Sequence, residues 1–172
     1  MWYVIQTMTG AEETLMLLIQ EQIPRDCYQD CFYIKREYAR KEKDRYQVYL
    51  TPLFPAYFFV STDRPKELYY ELKKVPKLTK LLKSEEETFL GVTEEEQEFL
   101  ESIQDEDHVV RRSLVQVDEE GQIIHAEGAV GRYMDCVVKQ RLRKRSVWIE
   151  RWFMGRKRLI MLGVKVDGDV EE

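Results

Sequence analysis

The segment 53–60, which reads Leu-Phe-Pro-Ala-Tyr-Phe-Phe-Val, limits the possible folds of this chain more than any other stretch. Successive side chains of a strand point to opposite faces, so consecutive large apolar residues predict a strand covered on both faces or one that feeds a docking surface. Pro55 has no amide hydrogen for a ladder, so we expect the strand to begin at Ala56. Leu53 and Phe54 then belong to a rigid approach that can be exposed.

The large side chains of this segment are expected to differ in burial. Phe58 and Val60 are expected inside, because they continue the strand beyond the proline. Phe54 and Tyr57 lie where the proline interrupts the alternation. Apolar side chains outside the hydrogen-bonded part of a strand often form an exposed patch with a binding function. Trp2, close to the first residue, fits a core cap and a docking surface equally well.

The composition is that of a globular protein, with 172 residues of which 44% are hydrophobic. The sequence contains no apolar run near 18 residues and no charged leader followed by an apolar stretch, so we expect neither a membrane span nor a secretory signal. Three cysteines give no paired framework and suit a reducing compartment. These features predict a cytoplasmic protein, which we expect to be a monomer without membrane contact.

The net charge of −5 hides a strong segregation of charge along the chain. Residues 84–107 carry 11 acidic and no basic side chains, whereas residues 108–165 carry 13 basic and 6 acidic ones. The acidic run is best interpreted as a solvated loop and helix face, with a partner-binding tail as the alternative. The basic part is where a polyanion is expected to bind.

The first half of the chain has the signals of an α/β domain. Residues 2–7 predict a strand, and Thr9 to Glu12 has the spacing of a capping box, so a helix should begin there and stop at Pro24. Residues 31–51 predict a long charged hairpin with strands at 32–41 and 45–51 and a polar tip at residues 42–44, although the tip has no classic two-residue turn sequence. Further helices are predicted after Asp63 and from a second capping box at Thr93 to Glu96.

The second half predicts a small β-barrel. Three β-branched runs, at residues 136–138, 147–153 and 159–166, are separated by glycine or basic turns. We therefore predict two domains, at residues 1–104 and 114–172, joined by a linker at residues 105–113.

The basic residues of this module concentrate at two predicted hairpin tips and point to nucleic acid. Trp148 and Trp152 lie on the strand between the tips and, four residues apart, share one face. Phosphate attraction beside exposed aromatic rings is the pattern of nucleic-acid binding, with a solvated hairpin as the plain alternative. RNA is favoured over duplex DNA because no recognition helix is visible. The candidate RNA-binding residues are Arg141, Arg143, Lys144, Arg145, Trp148, Trp152, Arg156, Lys157 and Arg158.

Catalysis and metal binding have little support in the sequence. Cys27 and Cys31 fit no common zinc spacing, and buried thiols are the better interpretation. Neither His108 nor His125 belongs to a recognisable nucleophile or acid–base motif. We therefore expect no enzyme, no metal and no cofactor.

Taken in order, these motifs resemble the NusG family of transcription elongation factors. The resemblance rests on the first strand, a Thr-Gly-x-Glu helix start, the charged hairpin, the Leu-Phe-Pro-x-Tyr-x-Phe-Val motif and the C-terminal Phe-Met-Gly-Arg and Leu-Gly motifs, and it covers nearly the whole chain. It implies an α+β fold in which an N-terminal NGN domain, an antiparallel sheet with flanking helices, is linked to a small KOW β-barrel. Within the family the chain is most similar to specialised antitermination paralogs of the LoaP type.

Two residues depart from the family pattern. Ala56 stands where the family has a glycine, so this residue needs a negative φ or must bear strain. Asp135 stands where a KOW glycine is expected, and aspartate tolerates the left-handed region better than most residues. These departures put in doubt the family's KOW contacts to a ribosomal protein or a termination factor.

The resemblance implies that the NGN domain docks on the clamp helices of bacterial RNA polymerase. When the family's docking pocket is matched residue by residue, its positions correspond to Trp2, Tyr3, Leu53, Phe54, Pro55 and Tyr57. Aromatic side chains suit this task because they give large contact area at low entropic cost.

The sequence therefore predicts a transcription elongation and antitermination factor that also contacts nucleic acid, above all a hairpin in the nascent leader RNA. One alternative is a general NusG elongation factor that acts through protein partners. Another is a ribosome-associated KOW protein that binds RNA without polymerase. The third alternative is an enzyme that acts on nucleic acid with a metal ion, but the sequence shows no set of residues that would bind the metal.

Overall fold

A computed structural model describes residues 1–82 and 89–171 of the chain. The chain divides into two compact units. Unit 1 comprises Met1–Ile34 and Phe54–Glu98, and unit 2 comprises Lys35–Leu53 and Phe99–Glu172. The predicted charged hairpin therefore belongs to the same unit as the C-terminal residues.

Unit 1 is built on a four-stranded antiparallel sheet. Its strands are β1 (Trp2–Gln6), β2 (Asp30–Phe32), β5 (Tyr57–Ser61) and β6 (Leu90–Gly91), in the order β2-β5-β1-β6. β-branched and aromatic residues dominate the two central strands, which suits a pleated surface that is covered on its faces. Strand pairing in β5 begins at Tyr57, one residue later than predicted, because Ala56 belongs to the preceding turn.

Three helices flank this sheet: α1 (Glu12–Gln22), α2 (Pro65–Lys73) and α3 (Pro76–Thr79). Their apolar sides form one core with one face of the sheet. That core contains Ile5, Phe58 and Val60 from the sheet and Leu15, Ile19, Leu68, Leu72 and Leu78 from the helices. The internal positions predicted for Phe58 and Val60 are confirmed, since both are fully buried.

The predicted capping box at the start of α1 is wrong. The helix begins at Glu12 itself, with Ala11 as its N-cap and no side-chain cap. The carboxylate of Glu12 accepts a hydrogen bond from the amide of Ala56 instead, as described below. The second capping box is confirmed, because the Thr93 hydroxyl accepts from the Glu96 amide at 3.1 Å at the start of α4 (Glu94–Ile103).

The charged hairpin of unit 2 consists of β3 (Lys35–Glu42) and β4 (Arg45–Pro52), which pair with β7 (Val109–Val110) in a three-stranded sheet. Glu42 pairs with Arg45, so a two-residue turn joins the strands, and Lys43 in that turn has a φ of 58°. The turn residues are Lys43 and Asp44, which are not among the usual sequences of a two-residue hairpin turn. Phe32 does not start this hairpin, because it pairs with β5 in the other sheet.

The C-terminal residues form a five-stranded sheet in the order β10-β11-β12-β8-β9. The strands are β8 (Ser113–Val117), β9 (Ile123–Ala126), β10 (Val137–Arg141), β11 (Ser146–Phe153) and β12 (Arg156–Val166), with the short helix α5 (Gly128–Arg132) after β9. The edge strands β9 and β10 are not paired with each other, so the described strands make a half-barrel. The Gln140 side chain on β10 donates to the Gly121 carbonyl at 3.0 Å across this opening.

Gly163 lets β12 lie directly against the charged hairpin within unit 2. A Cβ at Gly163 would lie 2.1 Å from the Glu37 carbonyl oxygen and 3.0 Å from the Tyr38 Cα, so any side chain would push the two strands apart. The Arg36 guanidinium also crosses to the Met161 carbonyl at 3.1 Å. Packing of this kind unites the hairpin with the C-terminal sheet.

The predicted fold class is confirmed as α+β, an NGN sheet with flanking helices followed by a KOW-type half-barrel of strands. The segment predicted as a linker, residues 105–113, contains β7, whose two valines are buried. Asp135 lies in a 3-10 turn, Met134–Cys136, and does not adopt the left-handed conformation considered for it. Among the described helices, none has the length and apolar character needed to cross a membrane.

Candidate functional site

Aromatic rings gather on the face of the unit 1 sheet that is turned away from the helix-side core. We call Trp2, Phe32, Phe54, Tyr57 and Phe59 the aromatic face. Phe32 stacks on Phe59 with ring centroids 5.6 Å apart, and the Trp2 ring meets Phe32 edge-on at 5.0 Å. Phe54 lies 6.4 Å from both Tyr57 and Phe59. Such offset and edge-to-face arrangements are the favourable ones for aromatic pairs.

A strained turn positions the start of β5 beside this face. Ala56 has a φ of 72°, in the left-handed region that glycine adopts without penalty. Three hydrogen bonds hold the turn: the Ala56 amide donates to Glu12 Oε1 at 2.7 Å, the Thr7 amide donates to the Ala56 carbonyl at 2.8 Å, and the Tyr57 amide donates to the Phe54 carbonyl at 3.1 Å. The strain foreseen for this position is therefore present, and Glu12, only 3% exposed, helps to maintain it.

Burial divides the residues predicted to bind polymerase. Leu53 is 4% exposed and Phe54 is 7% exposed, so the expectation of an exposed approach is wrong for these two residues. Pro55 is exposed, while Trp2 and Tyr57 are half-buried. Phe54 packs against Tyr57 and Phe59, so it supports the aromatic face from within.

Tyr3 lies on the opposite face of the sheet from Trp2. It pairs with Val60, which belongs to the helix-side core, whereas Trp2 packs against Phe59. The alternation of a strand makes this outcome unavoidable for two consecutive residues. The structure therefore brings Trp2, Phe54 and Tyr57 together and leaves Tyr3 in a different environment.

Sequence reasoning missed three residues that shape the aromatic face. Phe59 could have been found, because it alternates with Tyr57 on the same strand and so shares its side of the sheet. Phe32 gave no usable signal, since its sequence neighbours suggested the charged hairpin. Glu12 was assigned to a helix cap, and only the tertiary structure shows its contact with the turn.

The second candidate surface lies on the C-terminal sheet, where the alternation of β11 places its tryptophans outward. Val147, Ile149 and Phe153 are fully buried, whereas Trp152 on the other side is 63% exposed. Trp148 lies on the same side, with Lys139 Nζ 5.1 Å and the Arg141 guanidinium 5.8 Å from its ring centroid. We call Lys139, Arg141, Trp148, Trp152 and the 62% exposed Leu159 the tryptophan face.

The two basic tips flank this strand as predicted. One tip is the 3-10 turn Leu142–Lys144 between β10 and β11, and the other is the turn at Met154 and Gly155 between β11 and β12. The side chains of Arg143, Lys144, Arg156 and Lys157 are exposed at these tips. Lys157 approaches Glu150 at 3.8 Å, a loose pair between solvent-exposed groups.

Arg145 and Arg158 differ from the other candidate RNA-binding cations. Arg145 donates from Nε and Nη2 to the two carboxylate oxygens of Asp169 at 2.7 and 2.6 Å, and its guanidinium lies 4.6 Å from the Tyr46 ring centroid. Arg158 donates from Nε to the Phe153 carbonyl at 2.8 Å. Both guanidinium groups therefore have structural contacts within unit 2.

The side chains of Arg145 and Asp169 shift each other's pKa. The hydrogen bonds to Asp169 raise the pKa of Arg145. Burial alone would raise the pKa of Asp169, but the hydrogen bonds from the Arg145 side chain and the Val166 amide outweigh it and lower that pKa. Only 15% and 8% of these side chains are exposed, so the pair is largely shielded from water.

The thiols of Cys27 and Cys31 are buried, as the sequence predicted. Burial raises the pKa of Cys31 to about 11 and also raises the pKa of Cys27, so both thiols stay protonated near neutral pH. Within residues 1–82 and 89–171, no group of three or more His, Cys, Asp or Glu side chains could hold a metal ion.

The fold defines a class, that of α+β proteins in which an antiparallel sheet with flanking helices is followed by a half-barrel of strands. The family model described as transcription termination factor NusG matches residues 1–101, which is more than half of the chain. The chain belongs to the NusG family and is a transcription factor of that family.

Comparisons with individual proteins add little detail. A solved structure concerned with domain interaction in Thermotoga maritima NusG is similar to this chain at 19% sequence identity and a TM-score of 0.48. The similarity covers 95% of this chain and 93% of the other. A comparison with curated proteins gave no significant match.

Proposed function

We propose that this protein is a specialised antitermination factor that binds the RNA polymerase clamp through the aromatic face and a structured leader RNA through the tryptophan face. The observation that carries the proposal is the tryptophan face itself, where a 63% exposed indole lies on a strand flanked by two tips of exposed cations. Cations attract phosphates and exposed rings stack on unpaired bases, so this surface fits the loop of an RNA hairpin.

The polymerase contact would use the accessible part of the aromatic face. Pro55 and the half-buried rings of Trp2 and Tyr57 can contact a partner, while Phe32, Phe54 and Phe59 hold those rings in place. Rigid aromatic side chains set in a packed surround are typical anchors of protein interfaces. Tyr3 lies on the opposite face of the sheet and Leu53 is buried, so neither belongs to this contact.

The proposed mechanism is a shift between two states of the polymerase. A factor that binds the closed, elongating clamp more tightly than the open one favours elongation by that difference in affinity. Tethering to a leader RNA would raise the local concentration of the factor, so two modest contacts would suffice for recruitment.

Binding to purified bacterial RNA polymerase core tests the first contact. We expect Tyr57→Ala to weaken binding by about tenfold, which corresponds to about 1.4 kcal/mol. Tyr70→Ala, the same substitution at a 63% exposed tyrosine outside the aromatic face, should bind like the unmodified protein. Tyr57 is preferred to Phe54 as the test position because truncating a buried ring would also destabilise the fold. No polymerase binding by the unmodified chain would contradict the proposal.

A panel of RNA hairpins tests the second contact. The double variant Arg143→Ala/Lys144→Ala removes exposed cations without touching the Asp169 pair, and we expect it to lose affinity for the preferred hairpin. Equal binding of every hairpin by both proteins would show that the basic tips are only solvated turns.

A general elongation factor acting through protein partners is the second candidate. It is favoured by exposed apolar side chains on the C-terminal sheet, Val138 at 54% and Leu159 at 62%, which are unusual on an RNA-binding surface. Antitermination that persists on templates without a leader hairpin would support this candidate over the first.

A further inference from the structure

The segment that follows β12 pairs with the edge of the charged hairpin within unit 2. We call residues 167–171 the acidic strap, since it carries carboxylates at positions 167, 169 and 171. The Tyr46 amide on β4 donates to the Val170 carbonyl at 2.9 Å, and Tyr46 and Glu171 form a parallel bridge. Neither the polymerase contact nor the RNA contact proposed above includes the strap.

Three N–H groups converge on the carboxylate of Asp169. Nε and Nη2 of Arg145 donate to its two oxygens at 2.7 and 2.6 Å, and the Val166 amide donates to Oδ2 at 3.0 Å. The Arg145 guanidinium is fixed in this position, because Nη1 donates to the Leu142 carbonyl and the Tyr46 ring centroid lies 4.6 Å away. A guanidinium fork of this kind binds a phosphate as well as a carboxylate.

The carboxylate of Glu171 lies beside two further cations. Its Oε1 is 2.5 Å from Arg112 Nη1 and 3.7 Å from Lys165 Nζ. Arg112 Nε is buried and has no hydrogen-bond acceptor within residues 1–82 and 89–171. A buried donor without an acceptor costs free energy. The site therefore offers more donor groups than the strap satisfies, and a different anion could use them.

Charge, rather than apolar packing, holds the strap in place. Its single apolar side chain, Val170, is 56% exposed, and Asp167 and Gly168 are also exposed. Segments with few buried apolar contacts open at a low cost in free energy. A competing anion can therefore displace the strap without opening the core of unit 2.

The cations under the strap lie next to one of the basic tips. Arg145 directly follows the 3-10 turn between β10 and β11, where Arg143 and Lys144 are exposed. Opening of the strap would add Arg112, Arg145 and Lys165 to this exposed pair. A continuous row of cations beside aromatic rings is the arrangement that binds single-stranded nucleic acid.

We propose that the strap carboxylates occupy a phosphate-binding site for RNA and compete with RNA from within the chain. The inference rests on the RNA contact proposed above and adds a phosphate site to it. An RNA phosphate reaches Arg145 and Arg112 only after it displaces Asp169 and Glu171. In the unmodified chain the strap therefore lowers the affinity for RNA and leaves recognition to the tryptophan face.

An acidic segment of a protein partner is the competing ligand, because carboxylates already occupy the site. The surface next to the site favours RNA. It contains the Trp148 ring with Lys139 and Arg141 beside it, and bases stack on accessible rings whereas carboxylates do not.

The first test measures binding of a single-stranded oligouridylate at several salt concentrations. Asp169→Asn removes the negative charge that Arg145 neutralises. We expect this variant to bind about fivefold more tightly than the unmodified chain, at the lower end of the usual coupling between two binding events. Its slope of log affinity against log salt should steepen by about 0.7, the value for one additional phosphate contact.

Asp167→Asn is the matched control, because it removes the same charge from the same strap. Asp167 is exposed and has no ion pair within the described part of the chain. Its substitution should change the affinity much less than Asp169→Asn does and should leave the salt slope unchanged. Glu171→Gln, which releases Arg112 and Lys165, is a second variant that should behave like Asp169→Asn. Thermal unfolding shows whether each variant is folded at the temperature of the binding measurement.

A titration with inorganic pyrophosphate tests the site without RNA. The full ¹⁵N-labelled chain with both Asp169→Asn and Glu171→Gln should show saturable shifts of the Nε–H signals of Arg112 and Arg145 at millimolar pyrophosphate. The unmodified chain should need about tenfold more pyrophosphate, because its own carboxylates hold the same donors.

Three results would overturn the inference. These are equal effects of Asp169→Asn and Asp167→Asn on RNA binding, no saturable pyrophosphate shift at Arg145 in the double variant, and tighter binding of oligoglutamate than of pyrophosphate, which would assign the site to an acidic partner. Pyrophosphate binding at Arg145 without RNA binding by any variant would uphold the phosphate site and contradict the RNA contact of the tryptophan face. The Arg143→Ala/Lys144→Ala variant tests that contact separately, because it leaves the strap and its cations intact.

Discussion

The aromatic face of unit 1 and the tryptophan face of unit 2 use the same kind of side chain in opposite ways. On the aromatic face Phe59 is fully buried and Phe54 is 7% exposed, so most of the surface of these two rings contacts other side chains. On the tryptophan face Trp152 is 63% exposed and Trp148 has cations beside its ring. Aromatic content alone does not mark a binding surface, because the strand alternation decides which rings remain available.

Truncation of one ring on each face should give the largest contrast. Phe59→Ala would leave a cavity at a fully buried position, and we expect a loss of about 3–5 kcal/mol in the free energy of unfolding. Trp152→Ala should change that free energy by less than about 0.5 kcal/mol, as substitutions at exposed positions usually do. Urea denaturation measures both. Similar losses for the two variants would mean that the faces do not differ as described.

The pair of Arg145 and Asp169 should give the next largest effect. Arg145→Ala leaves a carboxylate that is 8% exposed without its partner, and we expect a loss of about 2–3 kcal/mol in stability. Arg143→Ala, at the exposed tip two residues earlier, should leave the free energy of unfolding nearly unchanged. Thermal unfolding of the two variants distinguishes a structural arginine from an available one.

The same pair should make stability depend on pH. The pKa of Asp169 is lower in the folded than in the unfolded chain, where it is about 3.9, so the stabilisation is present above that value and is lost as the pH falls through the folded pKa. Asp169→Asn lacks this dependence. The stability advantage of the unmodified protein over Asp169→Asn should therefore shrink in acid below about pH 4. A constant advantage down to pH 2 would contradict the coupling.

A somewhat smaller loss is expected from the contact that holds the turn before β5. Glu12→Ala deprives the Ala56 amide of its acceptor, and we expect a loss of about 1.5–3 kcal/mol, the usual range for a hydrogen bond to a charged group. Glu12→Gln, which keeps a carbonyl oxygen in place, should lose less. If the two variants have the same stability, the hydrogen bond has no role in maintaining the turn.

The smallest expected effect is a gain in stability. Ala56→Gly would relieve a φ of 72° and should stabilise the protein by about 0.5–1 kcal/mol. Ala126→Gly, in strand β9, should instead destabilise it by a similar amount, because glycine weakens a regular strand. Calorimetric unfolding of both variants tests whether the strain at the aromatic face is real.

Much of the fold could be predicted from local patterns. Strands β5 and β11 were recognisable to within one residue at their starts, because their β-branched and aromatic residues recur between turn signals. The shared side of Trp148 and Trp152 followed from the two-residue period of a strand. These predictions succeeded because the information lies within a few residues of the chain.

The predictions that failed depended on partners far away in sequence. Glu12 and Ala56 are 44 residues apart, and nothing near Thr9 indicates that the carboxylate will serve a distant turn. Arg145 was assigned to RNA binding with its basic neighbours because its partner Asp169 lies 24 residues later. Sequence periodicity shows which residues share one face of a helix or strand. The contacts described here form only when segments distant in sequence pack against each other.

The bidentate contact between Arg145 and Asp169 has a consequence for the salt dependence of the proposed RNA binding. Each cation that neutralises a phosphate releases a condensed counterion, so log affinity falls with log salt by about 0.7 per phosphate for single strands. The candidate site contains seven cations, but Arg145 already neutralises the carboxylate of Asp169. The measured slope of log affinity against log salt should therefore correspond to fewer released counterions than the basic sequence suggests. The difference equals the number of cations that are already paired within the folded protein.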